Sequence, residues 1–261
     1  PGTDRYVVAN CAEGEPGTFK DRALMRRNPY QLVEGLLIAA FAIDATEAFV
    51  ALKASFEQER EGITRAIAEM QEAGICRDCK VTVVAGPDEY LFGEEKAMLE
   101  VIEGKEPLPR VLPPYEHGLF ATAPQTGWQA TDAEPGHQGR HESNPTLVNN
   151  AETLSNVPRV LADGGERFRS LGTAESPGTL VATVVGDVVR PAVGEVELGV
   201  SLREVIDQVG GGLDPRRELK AVLTGVANPV VSGAGLDVDL SYEGLQSAGS
   251  GLGAGGVIVY D

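Results

Sequence analysis

Residues Tyr6–Arg22 read YVVANCAEGEPGTFKDR, an apolar run that breaks abruptly into a polar loop with two Gly and a Pro. The β-branched start predicts a buried strand, and the Gly and Pro residues predict an irregular loop after it. Open α/β sheets bind ligands in loops at the carboxyl ends of their parallel strands. The carboxylates of Glu13 and Glu15 and the amide of Asn10 suit ligand hydroxyl and N–H groups better than a phosphate. A solvated acidic turn is the alternative, since exposed carboxylates are the rule.

Strand and helix patterns alternate beyond this loop. Residues 29–43 are almost continuously apolar, which predicts a buried helix. Glu47–Lys53 and Lys80–Val84 read as strands, and the segment from Ser55 to Gln58 has the form of a capping box that starts the helix between them. Such alternation predicts a parallel sheet in an α/β domain of Rossmann-like type.

The chain changes character at about residues 172–178. A hairpin, a short helix that begins with a capping box at Ser201, and two later strands are predicted there. The four strands lie at Leu180–Val185, Gly194–Leu198, Leu219–Leu223 and Gly256–Tyr260. This pattern predicts a compact α+β domain, so the sequence predicts two domains, residues 1–172 and 173–261.

The acidic composition excludes some classes of partner. Lys and Arg total 22 against 39 Asp and Glu, a net charge of −17. Such a surface repels nucleic-acid backbones and anionic lipid. No apolar run approaches the ~18 to 20 residues of a membrane-spanning helix, so direct membrane insertion is not expected.

Cysteine and histidine spacing raises the question of a metal site. Cys76 and Cys79 have the spacing of half a metal site or a redox pair, but a plain helix-to-strand connection is the favoured interpretation because no second pair exists. His137 and His141 stand four apart in a polar insertion near Trp128, where neighbouring glycines disfavour the helix that a ligand pair needs. The sequence therefore predicts no metal site, and three cysteines fit a reducing compartment.

The opening loop and three later blocks closely resemble one family. The blocks are Asn10–Arg22, Tyr90–Glu95, Ile102–Tyr115 and Asn144–Leu154, in the family's order. They resemble the FMN- and NADH-binding subunit of respiratory complex I and the diaphorase subunits of NAD-reducing hydrogenases and formate dehydrogenases. The segment from Gly186 onward resembles the ubiquitin-like β-grasp (SLBB-type) domain of the same subunit.

The resemblance implies specific site residues. Those expected to contact FMN are Asn10, Glu13, Tyr90, Gly93, Glu94, Val148, Asn149, Asn150 and Thr153. Those expected to contact NADH are Glu15, Glu95 and Tyr115, with Tyr115 stacking on adenine. The FMN phosphate region is expected at the helix that follows Asn150. Helix-dipole stabilisation alone would also explain Glu94 and Glu95, and ordinary capping would explain the asparagines.

The resemblance also implies an activity and partners. It implies an NADH dehydrogenase subunit that passes hydride from NADH to FMN, with electrons continuing to iron–sulfur clusters toward a quinone or another acceptor. Partner subunits, including a thioredoxin-like iron–sulfur subunit, and a cytoplasmic location at the inner membrane face are implied as well.

The chain departs from the family pattern in several places. The family's Gly-rich phosphate loop would lie before Pro1 and its four-cysteine cluster module after Asp261. The resemblance is thus to a central fragment or a shortened relative, inactive in isolation. Ala12 replaces an expected Asp, and Leu112 replaces an expected Lys. These departures keep open a non-catalytic paralogue that serves in assembly or binds another small molecule. A free-standing β-grasp module with an appended α/β domain is a third possibility, which explains none of the loop matches.

Overall fold

The computed structural model describes residues 4–121 and 143–261. The chain divides into two compact units, Pro1–Gly14 with Leu24–Pro158 and Glu15–Ala23 with Arg159–Asp261. The boundary at residue 172 between the two domains expected from the sequence stays a prediction. Trp128, His137 and His141 lie outside the described residues.

The first unit is built on a parallel sheet. Its strands are β1 (Tyr6–Cys11), β2 (Glu47–Lys53), β3 (Lys80–Gly86) and β4 (Thr146–Asn150), in the order β3-β2-β1-β4. All three neighbouring pairs run parallel, which confirms the predicted α/β sheet. β1 and β2 are almost entirely buried because both faces of the sheet are covered by apolar side chains.

Helices connect these strands and cover the sheet. In this unit they are α2 (Pro29–Ala42), α3 (Glu57–Glu72), α4 (Glu95–Ile102) and the first part of α5 (Ala151–Asp163). α1 (Lys20–Arg27) begins in the segment assigned to the second unit and ends in the first, and α6 (Gly165–Arg169) belongs to the second unit. α2 and α3 share one apolar core with the strands, in which Leu36 and Ile63 are fully buried. The predicted capping box at Ser55 is wrong. Phe56 holds the N-cap position without a side-chain bond, because the Ser55 hydroxyl donates to the carboxylate of Asp88.

α2 and α5 approach each other at a glycine. Pro158 lies inside α5 without ending the helix, and its missing N–H leaves the Leu154 carbonyl without its usual helical donor. A Cβ atom added to Gly35 of α2 would lie 1.9 Å from that carbonyl oxygen. Gln31 Nε2, one helical turn earlier, donates to the Ser155 carbonyl at 2.7 Å. The absence of a side chain at Gly35 thus permits this helix contact.

The second unit contains a mixed five-stranded sheet. Its strands are β5 (Thr179–Gly186), β6 (Ala192–Glu197), β7 (Ala221–Leu223), β8 (Val231–Ser232) and β9 (Gly256–Tyr260), in the order β6-β5-β9-β7-β8. β5 pairs antiparallel with β6 and parallel with β9. Besides α6, its helices are α7 (Leu202–Gly210) and the short α8 (Tyr242–Ser247). The predicted hairpin and the capping box at Ser201 are confirmed, whereas β8 and α8 were not predicted.

The segment Glu15–Ala23 packs within this second unit. The Phe19 N–H donates to Thr183 Oγ1 at 3.0 Å, and Thr183 is buried on β5. Gly17 has a φ of 84° and packs so closely on Ile258 that an added Cβ would lie 2.9 Å from its Cδ1. The polar loop is therefore anchored on the mixed sheet after Gly14.

Cys76 and Cys79 lie in the turn between α3 and β3, as the favoured interpretation expected. Both thiols are free and buried. Burial raises the pKa of Cys79 to about 11, with smaller contributions from Cys76 and Glu47. Metal binding and nucleophilic attack both need the thiolate, which this environment disfavours. Within residues 4–121 and 143–261, no group of three or more His, Cys, Asp or Glu is placed to hold a metal ion.

We expect Gly35→Ala to lower the free energy of unfolding by about 2 to 3 kcal/mol, because the new methyl group would overlap the Leu154 carbonyl. Urea unfolding monitored by circular dichroism measures the change.

Gly62→Ala is the matched control. Gly62 lies in α3, where an added Cβ would have only the Met25 carbonyl oxygen nearby, at 3.9 Å. Helix propensity should then raise stability by up to about 1 kcal/mol. Equal effects of the two substitutions would contradict the close helix approach.

Alkylation of Cys79 by iodoacetamide at pH 8 should be at least about a hundredfold slower in the native protein than in urea, because its raised pKa leaves little thiolate. Mass spectrometry of the peptide that contains Cys79 measures both rates. Equal rates would show that the thiol is accessible and ionised.

Candidate functional site

The carboxyl edge of the parallel sheet gathers several of the predicted site residues. Asn10 on β1 lies in register with Asn150, the last residue of β4. Asn10 Nδ2 donates to the Gly93 carbonyl at 2.8 Å, and its Oδ1 accepts from the Ala12 N–H at 3.3 Å. The structure thus brings the first and second family blocks together, and Asn10 is the side chain that joins them.

The second block forms a short turn and the start of α4. Tyr90–Gly93 is a 3₁₀ turn, and Glu94 caps α4 by accepting the Ala97 N–H at 2.9 Å. Glu94 therefore has a structural role as a helix cap, which was not predicted from the sequence. An added Cβ at Gly93 would meet nothing within 4 Å, so the crevice is open beside this residue. Tyr90 is 63% exposed, and its ring lies close to Gly14.

An open cavity of ≈560 Å³ follows the edge strand β4 and contains predicted residues from three blocks. We call it the edge cavity. It is lined by Arg5, Ile43, Glu95, Pro114, Tyr115, Pro145, Thr146, Leu147 and Val148. Its volume is typical of a small-molecule site. Glu95 begins α4, and Tyr115 is 71% exposed on the following loop, so both side chains are available to a ligand.

A buried cluster of charges fixes the loop that carries Tyr115. Arg110 is almost completely buried and contacts Glu100 at 2.6 Å and Glu103 at 2.7 Å, both on or directly after α4. Its Nη1 also donates to the Gly118 carbonyl at 2.8 Å. One guanidinium therefore ties both ends of the loop to the helix that begins with Glu95.

The cations of this cluster act on the pKa of Glu103. Burial raises the pKa of Glu103, but hydrogen bonds from Lys105, Arg110 and a backbone N–H outweigh it and hold the pKa below its ordinary value. Lys105 contacts both carboxylates, at 3.0 and 2.8 Å. Two cations thus balance two carboxylates.

The start of α5 contains the fourth block. Asn150 Oδ1 accepts the Glu152 N–H at 2.9 Å, as a capping residue would. Thr153 is exposed and Asn149 half-buried, and neither side chain has a hydrogen bond within the part of the chain that the structure describes. Both polar groups are thus available to a ligand.

The two acidic residues of the opening loop fall in different units. Glu13 is half-buried and belongs to the first unit, whereas Glu15 belongs to the second. There, Glu15 Oε1 accepts from the Val226 N–H at 3.3 Å. Glu15 is therefore the one predicted loop carboxylate that packs with the mixed sheet.

Sequence reasoning missed three cations of the first unit. Arg5 lines the edge cavity, Arg110 organises the loop, and Lys53 lies buried at the carboxyl end of β2. Lys53 carried a usable signal, because it is a charged residue at the end of an otherwise apolar strand. Arg110 lies in the third family block, but its burial between two carboxylates had no local signal, and Arg5 had none either.

A larger cavity of ≈880 Å³ lies elsewhere, between α3 and β3. It contains none of the residues predicted from the family blocks, and its lining combines the outer face of a helix with an edge strand. We assign the candidate site to the smaller edge cavity, because residues from separate family blocks converge there.

Comparison with known proteins gives consistent matches. Residues 1–159 match the model of the Nuo51 FMN-binding domain. The chain is 38% identical to the second F subunit of NADH-quinone oxidoreductase in Rhizobium meliloti and covers 59% of that protein, with all of this chain aligned. It is 35% identical to the corresponding F subunit of Mycobacterium bovis, with 98% of this chain and 55% of that protein aligned.

A solved structure matches as well. A crystal structure of an NAD⁺-reducing NiFe hydrogenase in the air-oxidised state aligns with all of this chain and 41% of its own, at 30% identity and a TM-score of 0.77. The chain thus spans somewhat more than half the length of the curated relatives it matches. Among the described residues, no helix is long and apolar enough to cross a membrane. On these matches, the chain belongs to the family of the Nuo51 FMN-binding domain.

Proposed function

We propose that this chain is the FMN- and NADH-binding part of an NADH dehydrogenase flavoprotein subunit. The observation that carries the proposal is the edge cavity, where Glu95, Tyr115 and Val148 come together from three separate family blocks. A solvated acidic turn or a simple helix-dipole effect would not require this convergence. The relatives are named as F subunits of NADH-quinone oxidoreductase, which supports the same activity.

The residues at the carboxyl edge of the sheet fit a flavin nucleotide. The space beside Gly93 is open, and the polar side-chain groups of Asn149 and Thr153 make no hydrogen bond among the described residues. We assign FMN contacts to these residues and to Glu13, Tyr90, Val148 and Asn150. Asn10 and Glu94 belong to the same proposed site, where their hydrogen bonds to the Gly93 carbonyl and the Ala97 N–H hold its shape.

The edge cavity fits the dinucleotide. We propose that the Glu95 carboxylate accepts hydrogen bonds from N–H or hydroxyl groups of NADH and that the exposed ring of Tyr115 stacks on its adenine. Arg110 would act through the loop by holding Tyr115 at a fixed distance from α4. Glu15 is assigned to NADH from the sequence pattern alone.

The chemistry of this site comes from its cofactor. FMN, when bound, accepts hydride from NADH and releases electrons singly to iron–sulfur clusters held elsewhere in the complex. The residues described here bind and orient the two ligands. Partner subunits of an NADH-oxidising complex, including a thioredoxin-like iron–sulfur subunit, and a position at the cytoplasmic face of the inner membrane belong to the same proposal.

A non-catalytic paralogue is the second candidate. Ala12, where the sequence pattern leads one to expect Asp, is fully buried and offers no group to a ligand. Leu112 offers no charge on the segment between Arg110 and Tyr115. Such a chain would keep the fold for assembly or for binding another small molecule.

Replacing Glu95 with Gln tests the proposal in the complex that contains this chain. We expect oxidation of NADH by ferricyanide to fall about tenfold or more while flavin content stays constant, because an amide would present a donor where a carboxylate accepted. Steady-state kinetics and flavin fluorescence after denaturation measure the two quantities.

Glu116→Gln is the control, since Glu116 is exposed one residue after Tyr115 and does not line the edge cavity. Equal loss of flavin and activity in the Glu95 variant would reassign Glu95 to the flavin. No effect on either would leave only stabilisation of the helix dipole as the role of Glu95.

Leu112→Lys should lower the Michaelis constant for NADH about fivefold to tenfold, the value of one partly exposed charge interaction. The gain should shrink as salt increases, because salt screens the interaction. Flavin content should not change.

Leu112→Gln controls for polarity without charge. An equal gain with Gln would show that charge is not the cause. If no variant oxidises NADH at any salt concentration although flavin is bound, the non-catalytic paralogue is the better description.

A further inference from the structure

Lys53 is a buried cation at the carboxyl edge of the parallel sheet, next to residues assigned to FMN and outside the edge cavity. It is the last residue of β2, lies beside the central strand β1, and is 9% exposed. An added Cβ at Gly14 would lie 3.3 Å from Lys53 Nζ and 3.2 Å from the ring of Tyr90. The ammonium group therefore occupies the same crevice as the opening loop and the Tyr90 turn.

Lys53 differs from the other buried cations because no acidic side chain pairs with it in the part of the chain that the structure describes. Lys20 pairs with Asp21, and Arg110 pairs with Glu100 and Glu103. No ion pair or side-chain hydrogen bond forms at Lys53 among the described residues, although the chain contains 39 acidic residues. Burying a charge without a counter-charge is costly. A bound ligand with an electronegative group at this point would offset that cost.

The sheet register decides which part of a flavin nucleotide Lys53 can reach. Asn10 aligns with both Ala51 and Asn150, so Lys53 lies two strands across from Asn150 and two residues further along. A strand spacing of ~4.8 Å and a rise of ~3.3 Å per residue separate the two backbones by roughly 12 Å. A phosphate at the start of α5 is out of reach, whereas a ribityl chain extending from it would bring the ring toward Lys53.

We propose that Lys53 is a flavin-binding residue whose ammonium group donates to the carbonyl edge of the isoalloxazine ring. This inference rests on the proposed function. The charge of Lys53 stabilises the electron density that the ring gains on reduction, so it raises the reduction potential of bound FMN. Lys53 thus adds a cation that influences the flavin potential to a site whose predicted residues include no Lys or Arg.

The test uses the full complex with Lys53→Met, which keeps an apolar stem of similar length, and Lys53→Arg, which keeps the charge. Lys80→Met is the matched control, because it removes the same charge at the amino end of β3, where Lys80 pairs with Glu47. Spectroelectrochemical titration measures the midpoint potential of the flavin. Fluorescence quenching measures the affinity of the flavin-depleted complex for FMN and for riboflavin.

We expect Lys53→Met to lower the midpoint potential of the flavin. It should also weaken the binding of FMN and of riboflavin by the same factor, about fivefold to tenfold. Lys53→Arg should restore most of both, and Lys80→Met should change neither. If Lys53→Met prevents assembly, Lys53→Gln provides the same neutral substitution with a polar end.

Three outcomes would overturn the inference. An affinity loss for FMN but not riboflavin would assign Lys53 to the phosphate. An unchanged potential and affinity in a wild-type-like complex that oxidises NADH would exclude Lys53 from the flavin site and leave the proposed function intact. A wild-type complex that holds no flavin would overturn the proposed function together with this inference.

Discussion

The parallel pairing of β1 with both β2 and β4 is the constraint on which the first unit depends. Each strand end fixes the point at which a polar segment begins, and the register brings Asn10 beside Asn150. Parallel pairing requires crossover segments, and here these are the helices that bury the sheet. The site is therefore a consequence of strand register, since its parts lie far apart in sequence and meet only where the strands end.

Charge is distributed unevenly around this frame. Most of the described Asp and Glu residues are at least partly exposed, but Glu100 and Glu103 lie close to Arg110 in a cluster with little solvent exposure. Removing one member of such a cluster typically costs about 3 to 5 kcal/mol because the others stay buried and uncompensated. The same cluster joins α4 to the loop of Tyr115, so the stability of this region and the shape of the edge cavity are coupled.

Much of the fold was predictable because local signals agreed with the final structure. The apolar strands Tyr6–Cys11 and Glu47–Lys53 and the capping box at Ser201 all formed as the sequence indicated. The capping box at Ser55 failed because a distant carboxylate, Asp88, competes for its hydroxyl. β8 and α8 were missed because they are too short to show a period.

The candidate site was predictable only where a family pattern named its residues. Glu95 and Tyr115 carry no local sign that they share a cavity, since about twenty residues with turns separate them. Lys53 belongs to none of the family blocks, and its surroundings come from other strands and loops. Arg110 lies in the third block, but nothing local indicates that it is buried between two carboxylates. Burial of a charge is a property of the assembled fold, which a linear pattern does not encode.

The anchoring of Glu15–Ala23 on the mixed sheet has a consequence for how the chain folds. The Phe19 bond to Thr183 spans 164 residues, and the Val226 bond to Glu15 spans 211. Contacts of such sequence separation form slowly. At ~5 to 20 residues per second, the ribosome needs roughly 10 to 40 s to produce the sheet that this segment packs on. The polar loop thus emerges well before the sheet on which it packs and can reach its final conformation only after that sheet has been made, so during synthesis it is open to proteases and chaperones.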